Sequence, residues 1–159
     1  MKIYTFKQTQ LIPASLDVVW DFFFTPGNLE LITPPEVNFK TILQTGGFRM
    51  YSGQLISYRL SPFRFLRVQW TTEIKNVTPK SYFVDDQKFG PFAMWYHQHF
   101  FKEKDGGVEM IDEVNYAVSF GLVGRLANSL LVENQVKNIF KFRAEAVDRI
   151  FKSNIIQPA

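Results

Sequence analysis

Two histidines lie two residues apart near the middle of the chain, and their chemistry is the first question that the sequence raises. His97 and His99 are the only histidines present, and they stand in the stretch GPFAMWYHQHF at residues 90–100. An imidazole can bind a metal ion, exchange a proton near neutral pH, or act as a polar hydrogen-bonding group in the wall of a cavity. The choice among these roles depends on the elements that hold the two side chains.

The composition of the chain limits the possible chemistry. The 159 residues are enough for one domain with a substantial core, and we place that domain at residues 1–159. The absence of cysteine excludes disulfides, a thiolate nucleophile and cysteine-based zinc or iron–sulfur sites. The aromatic content is high, with 17 Phe, 6 Tyr and 3 Trp. Aromatic side chains fill cores, and they also line apolar cavities.

The distribution of charge gives no sign of a nucleic-acid partner. A formal charge of +3 arises from 18 Lys and Arg against 15 Asp and Glu, scattered along the chain. One basic group near the C-terminus is interpreted as the solvated face of a helix, because nucleic-acid-binding domains have denser basic footprints. Its members are Lys137, Lys141, Arg143, Arg149 and Lys152.

No targeting or membrane segment is recognised in the sequence. The start, MKIYTFKQTQ, lacks the charged and apolar regions of a signal peptide. The longest apolar stretch, residues 18–24, is interrupted by Asp21 and is too short to cross a bilayer. We therefore expect a soluble, cytoplasmic protein without stable membrane insertion.

The pattern of apolar residues predicts an α+β fold. Residues 2–12 alternate as a strand does, residues 16–24 have helical spacing, and residues 28–32 predict a second short helix. Six strands separated by turn residues follow at 37–44, 50–60, 64–77, 81–88, 93–104 and 108–118. Because the connections are short, consecutive strands should be antiparallel neighbours.

The C-terminal part of the sequence predicts one long amphipathic helix. Apolar residues from Leu126 to Phe151 recur at helical spacing with charges between them. A curved antiparallel sheet of about seven strands would wrap around this helix. Large aromatic side chains would hold the two layers apart, so the architecture predicts an internal cavity between the sheet and the helix.

Residues along most of the chain match a known family pattern. The most specific match is Gly90, Pro91 and Phe92, followed by the run Trp95-x-His97-x-His99-x-Phe101. Suggestive matches are Asn28, Leu29, Thr33, Pro34, Pro35, Ile56, Tyr58, Leu60, Trp70, Thr72, Ile74, Pro79, Phe83, Asp85, Gln87, Asp112, Val114, Tyr116, Gly121 and Gly124, whereas Ser119 stands where the pattern has Pro. On these residues the chain resembles the START-like or SRPBCC superfamily, in a bacterial branch described as ligand-binding or cyclase/dehydrase-like.

The resemblance implies a helix-grip fold with a hydrophobic ligand cavity. It implies no particular reaction, because binders, transfer proteins and enzymes share this scaffold.

The hairpin after the histidines predicts which residues face them. Asp105-Gly106 is a strong signal for a two-residue turn. The resulting register places His99 opposite Asp112, His97 opposite Val114, and Trp95 opposite Tyr116 on the concave face. A three-residue loop would shift the register by one and bring Glu113 against His99. We prefer the first register.

A metal site has the weakest support of the three roles. His97, His99 and Glu103 have the spacing of a cupin metal motif, and His97 and His99 could instead join Asp112 in a two-histidine, one-carboxylate site. A cupin needs a further histidine, which this chain lacks. We predict no metal and no cofactor.

Catalysis and ligand binding are the remaining roles. His99, oriented by Asp112 and with Tyr116 as a second donor, could act as a general base in a non-covalent cyclisation, dehydration or isomerisation. Alternatively, the histidines and Asp112 satisfy one another and orient a hydroxyl or carbonyl of a ligand, since buried polar groups need partners. We predict binding of a small hydrophobic or aromatic ligand such as a lipid, an isoprenoid or a polyketide-like molecule, with the enzyme as the alternative. A protein-interaction role would need exposed aromatics at Tyr96 or Phe100.

Ten residues are the predicted ligand-binding set: Trp70, Phe83, Asp85, Trp95, His97, His99, Phe101, Asp112, Val114 and Tyr116. For Asp85, a place in the cavity wall and a place on a solvated approach to the next turn both stay open.

Overall fold

A seven-stranded antiparallel sheet and a long C-terminal helix form most of the fold. This computed structural model describes residues 1–63, 66–119 and 131–153. The strands are β1 (Tyr4–Ile12), β2 (Lys40–Gln44), β3 (Leu55–Phe63), β4 (Leu66–Thr78), β5 (Tyr82–Phe89), β6 (Met94–Lys104) and β7 (Gly107–Ala117). The helices are α1 (Leu16–Phe23), two short 3₁₀ helices (Pro26–Glu30 and Pro35–Val37) and α2 (Glu133–Lys152). The predicted α+β class, the curved sheet and the short helices after the first strand are confirmed.

The strand order explains how the short helices reach the concave face. The order is β1-β7-β6-β5-β4-β3-β2, so β1 and β2 form the two edges of the sheet. The chain between them must cross from one edge to the other, and α1 lies on this crossing. Trp20 of α1 packs edge-on against Phe83 and Phe101, with ring centroids 5.9 and 5.4 Å away. Helix α1 therefore closes one end of the concave face.

Helix α2 is fixed to both sides of the sheet by side-chain amides. Gln10 of β1 donates to the carbonyl oxygen of Ala144 at 2.9 Å and to Oδ1 of Asp148 at 2.8 Å. At the other end, Nε2 of Gln135 donates to the carbonyl oxygen of Pro62 at 3.0 Å. The helix thus crosses the concave face from β1 to β3. No helix among the described residues combines the length and the apolar character that crossing a membrane requires.

Several predicted boundaries differ from the observed ones for local reasons. The strand predicted at 37–44 begins only at Lys40, because Pro35–Val37 forms a 3₁₀ helix that buries Val37. The strand predicted at 50–60 begins at Leu55 and runs through Pro62, where the pairing with β4 becomes irregular. The second short helix is a 3₁₀ helix at Pro26–Glu30. The helical positions predicted at Leu126 and Leu130 lie outside the described residues.

Candidate functional site

The β6–β7 hairpin brings the histidines to the middle of the sheet with the predicted register. Lys104 pairs with Gly107, and Gly106 adopts a φ of +88°, which suits the second position of a tight two-residue turn. The predicted pairs are confirmed: His99 lies opposite Asp112, His97 opposite Val114, and Trp95 opposite Tyr116.

The β5–β6 turn is held by the side chain of Gln87. Its Nε2 donates to the carbonyl oxygen of Phe92 at 2.8 Å, and its Oε1 accepts from the Phe92 N–H at 3.4 Å. A Cβ atom at Gly90 would collide with that Oε1. The turn places the Phe92 ring against Trp95 and Trp70, with centroids 4.8 and 5.6 Å away.

The two histidines lie between two carboxylates contributed by the flanking strands. Nε2 of His97 lies 2.8 Å from Oδ1 of Asp112, and Nε2 of His99 lies 2.9 Å from Oδ2 of Asp85. The other ring nitrogens are also close, with Nδ1 of His97 3.1 Å from Asp85 and Nδ1 of His99 3.2 Å from Asp112. The contact between Nδ1 of His99 and Asp112 lacks hydrogen-bond geometry. We call these four residues the histidine–aspartate network.

The shortest hydrogen bonds of the network run diagonally between strands. The catalytic alternative required Asp112 to orient His99, its cross-strand neighbour, but the hydrogen bond of Asp112 goes to His97. His99 is bound instead by Asp85, whose cross-strand neighbour is His97. Diagonal neighbours in an antiparallel sheet are within reach of long side chains. The structure therefore corrects the pairing and places Asp85 on the inner wall.

The proton count of the network favours charged groups. A neutral imidazole has one N–H, whereas an imidazolium has two. Both ring nitrogens of His97 lie within 3.1 Å of carboxylate oxygens, so only an imidazolium at His97 would supply a proton to each contact. Burial opposes a charge on His97, but the charge of Asp85 and the hydrogen bond to Asp112 outweigh it and raise the pKa of His97.

Both carboxylates of the network are held ionised. Burial alone would raise the pKa of Asp85 and of Asp112, but hydrogen bonds and charge from His97 and His99 hold both pKa values well below their usual range. The Asp85 side chain is 21% exposed, against 9% for Asp112 and 4% for His97. Asp85 is therefore the most accessible carboxylate of the network.

Asp85, His97 and His99 are the described residues that could hold a metal ion. Each offers one ligand atom, and the three atoms lie within 4.8 Å of one another. Two imidazole nitrogens and one carboxylate suit several transition metals, and Asp112 stands where an outer hydrogen-bonding partner would be expected. Ring N–H groups of the histidines can also make these contacts to the carboxylates without a metal ion. The absence of a metal therefore stays a prediction. Glu103, the third residue of the cupin-like spacing, is exposed near the far end of β6.

A cavity of about 360 Å³ lies between the sheet, α1, the 3₁₀ helices and α2. Most of its wall is apolar. Its aromatic lining residues are Phe22, Phe23, Phe39, Tyr58, Trp70, Phe83, Phe92, Trp95 and Phe140. Polar groups in the wall are few, and among the described residues that line it Asp85 is the only carboxylate.

The predicted ligand-binding residues divide into two groups. Those that line the cavity are Trp70, Phe83, Asp85, Trp95, His97 and His99. The other four are Phe101, Asp112, Val114 and Tyr116, which are buried but absent from the described cavity wall. Phe101 packs against Trp20 and Phe23, while Val114 and Tyr116 belong to a small apolar cluster with Val136 and Phe140. Asp112 acts on the wall only through the histidines.

Helix α2 supplies a wall residue, Arg143, that was predicted to lie on a solvated face. Arg143 lines the cavity, and its guanidinium carbon lies 4.7 Å from the centroid of the Phe140 ring. The interpretation of the C-terminal basic residues as one solvated face is therefore wrong for Arg143, although the other four are exposed. Arg143 lies four residues after Ile139 and four before Val147. This spacing on the apolar stripe was the signal in the sequence.

Tyr58 is a second polar wall residue that the predicted set omitted. It lies on β3, is 5% exposed and pairs across the sheet with Trp70. Burial raises the pKa of Tyr58 far above its ordinary value, the charge of Asp85 adds to this rise, and Arg143 opposes it. The phenol is therefore protonated and can donate a hydrogen bond.

Comparison with protein-family models and with curated proteins finds no match. Solved structures match over nearly the whole chain. The Zhui aromatase/cyclase from Streptomyces sp. R1128 has a TM-score of 0.74 at 13% identity, covering 98% of this chain and 97% of that chain. The chain has the helix-grip fold. The START-like or SRPBCC resemblance is thus confirmed at the level of the fold.

Two further solved structures match most of the chain. Ginseng major latex-like protein 151 from Panax ginseng has a TM-score of 0.66 at 10% identity, covering 94% of this chain and 97% of that chain. The protein TTHA0849 from Thermus thermophilus has a TM-score of 0.62 at 16% identity, covering 91% of this chain and 97% of that chain. At such identities the likeness establishes the helix-grip fold, and any function must be argued from the site.

Proposed function

We propose that this helix-grip chain binds a small, mainly apolar molecule in the cavity between the sheet and α2. The observation that carries the proposal is the cavity of about 360 Å³ with a largely aromatic and aliphatic wall. Sites for small organic ligands have this size range and combine apolar walls with a few fixed polar groups. An aromatase/cyclase and a major latex-like protein share the fold, which supports the proposal only by analogy.

The polar wall residues would fix the orientation of the ligand. Asp85 is ionised and is held in place by His97 and His99, so it can accept a hydrogen bond from a hydroxyl or amide of the ligand. Tyr58 is protonated and can donate a hydrogen bond to a ligand oxygen. These two residues give the apolar cavity a polar acceptor and a polar donor.

A non-covalent cyclase or dehydrase is the second candidate function. The exposure of the Asp85 carboxylate beside two histidines favours it, because proton transfer needs a titratable group within reach of the substrate. A general base at His99 would have to use Nδ1, which makes no hydrogen bond to a described residue and lies 3.2 Å from the Asp112 carboxylate. The His99 side chain is only 8% exposed, so its burial favours a binding role over base catalysis.

Tryptophan fluorescence tests where the ligand binds. Trp70 and Trp95 line the cavity, whereas Trp20 is buried in the core away from the described wall. Titration with 1-decanol should change the emission of the wild type and of Trp20→Phe, and the response should disappear in the Trp70→Phe/Trp95→Phe double variant. A response that persists unchanged in the double variant would place the binding site elsewhere.

The Asp85→Asn variant distinguishes ligand binding from catalysis. If the chain only binds, a ligand retained from its own host should be recovered unaltered, and Asp85→Asn should change only its affinity. If the chain is an enzyme, mass spectrometry should show conversion of that molecule, and the substitution should cut turnover by orders of magnitude with binding nearly intact.

A further inference from the structure

We propose that the ligand carries an acidic group, a carboxylate in the simplest case, and that Arg143 binds this group inside the cavity. The inference rests on the proposed ligand-binding function and names the chemical class of the ligand.

The first observation is the position of the Arg143 side chain. It lines the cavity from α2, and its guanidinium stacks over the Phe140 ring. Its Nε atom is buried without a hydrogen-bond partner among the described residues. Buried polar groups are normally hydrogen-bonded, and an unpaired N–H on a charged group is costly. The arginine therefore has unused binding capacity that faces an apolar cavity.

The second observation is that no side chain in the described part of the protein supplies a counterion to Arg143. No described carboxylate lies within ion-pair distance of it, and residues 64–65, 120–130 and 154–159 contain no Asp or Glu. Asp85, the carboxylate of the cavity wall, is already engaged by His97 and His99. Arg143 therefore has no ion-pair partner among the described residues, and a bound anion would supply one.

Two other cations of α2 have acidic partners on the same helix. Lys137 pairs with Glu133 at 2.6 Å, and Lys152 pairs with Asp148 at 2.7 Å, each across one helical turn. Four residues before Arg143 stands an apolar residue, Ile139. The helix thus provides acidic partners for these exposed cations and none for the cation that lines the cavity.

Tyr58 adds a second donor for the same acidic group. Its hydroxyl makes no hydrogen bond to another described residue, and Tyr58 and Arg143 are close enough to interact electrostatically. A guanidinium can bind a carboxylate through two parallel hydrogen bonds, and a neutral phenol beside it can donate a third. The apolar part of such a ligand would lie along the aromatic wall. The fitting class is a hydrophobic carboxylic acid.

Decanoate and 1-decanol form a matched pair of probes, because they share the chain length and differ in the acidic group. At neutral pH, where the carboxylate is ionised, calorimetry should show decanoate binding about 10 to 100 times more tightly than 1-decanol to the wild type. Arg143→Gln should remove this preference by weakening decanoate about 10- to 100-fold while changing 1-decanol less than about twofold. Lys137→Gln removes an exposed, paired charge from the same helix and should leave the preference intact.

Equal binding of the two probes to the wild type, or an unchanged preference in Arg143→Gln, would overturn the acidic-ligand inference and leave cavity binding standing. Absence of binding by both probes would overturn cavity binding and this inference together. If Arg143→Gln does not fold, Arg143→Lys takes its place, because lysine keeps the positive charge. Arg143→Lys should retain part of the preference for decanoate. A complete loss of that preference would contradict recognition of the ligand through its charge.

Discussion

His97 and Asp112 stand diagonally on neighbouring strands, with Nε2 of His97 2.8 Å from Oδ1 of Asp112. The same carboxylate oxygen lies 3.2 Å from Nδ1 of His99, so one aspartate contacts both imidazoles. Asp85 does the same from the strand on the other side of β6. The two histidines are thereby held between two carboxylates, and the network places ionised groups in a mostly apolar wall.

Removal of the Asp112 charge should destabilise the fold. Asp112→Asn leaves His97 buried without one of its charged partners, and breaking a buried pair in this way costs about 3 kcal/mol. Urea denaturation measures the change in the free energy of unfolding. Glu113→Gln is the matched control, because Glu113 is the next residue on β7 and forms a partly exposed ion pair with Lys7, for which we expect less than about 1 kcal/mol. Equal losses in the two variants would contradict a special role for the network.

The stabilisation by the network should depend on pH in a defined direction. The pKa of His97 is raised, so its contribution is complete below the ordinary value of 6.5 and is lost as the pH rises through the raised pKa. The pKa values of Asp85 and Asp112 are lowered, so their contributions are complete above the ordinary value of 3.8 and are lost as the pH falls. The network should therefore stabilise most between pH 3.8 and 6.5.

The difference in unfolding free energy between the wild type and His97→Gln, measured from about pH 3 to pH 9, isolates this contribution. We expect the difference to be largest in that window and to shrink on both sides. A difference that does not vary with pH would contradict charged pairing of His97 with the two aspartates.

Stoichiometric metal should be absent from the purified protein. The ring N–H groups of His97 and His99 can donate to the two carboxylates, so the network needs no metal ion to be satisfied. The sequence also lacks cysteine and any third histidine. Elemental analysis after purification without chelators should find well below one equivalent. About one equivalent of zinc, iron or manganese that disappears in Asp85→Ala would show that these residues form a metal site.

The Gln87 side chain should couple energetically to Gly90. A Cβ at Gly90 would collide with Oε1 of Gln87 and break its hydrogen bonds to Phe92. Gly90→Ala and Gln87→Ala should each cost about 1 kcal/mol of unfolding free energy, and the double variant should cost much less than their sum. Additive losses would show that the glycine and the glutamine act independently.

Turn residues in the sequence predicted the part of the site that depends on the β6–β7 hairpin alone. The Asp105-Gly106 turn sets the β6–β7 register, and that register alone placed Asp112 opposite His99. The pairing of each histidine with a particular aspartate could not be predicted, because it depends on diagonal contacts and on β5. The sequence does not show that Gln87 fixes the turn that brings β5 alongside β6.

The position of Arg143 illustrates a different limit. Its spacing from Ile139 and Val147 placed it on the apolar stripe of the helix, but its charge favoured a solvated face. A charged residue reaches an inner wall only where a cavity leaves room for it. That room depends on how far the aromatic residues hold α2 from the sheet, which is a property of tertiary packing.

The most direct test of ligand binding is to fill the cavity with a bulky side chain and to measure whether binding is lost. Thr72 is 2% exposed and lines the cavity from β4, whereas Gln69 is exposed on the opposite face of the same strand. The measurement is the melting temperature of the wild type, Thr72→Phe and Gln69→Phe with fatty acids, isoprenoids, flavonoids and polycyclic aromatics. We expect at least one class to raise the melting temperature of the wild type and of Gln69→Phe, because a ligand of the folded state stabilises it, and to leave Thr72→Phe unchanged. No rise for any compound with the wild type, together with a Thr72→Phe variant more stable than the wild type, would contradict ligand binding in this cavity.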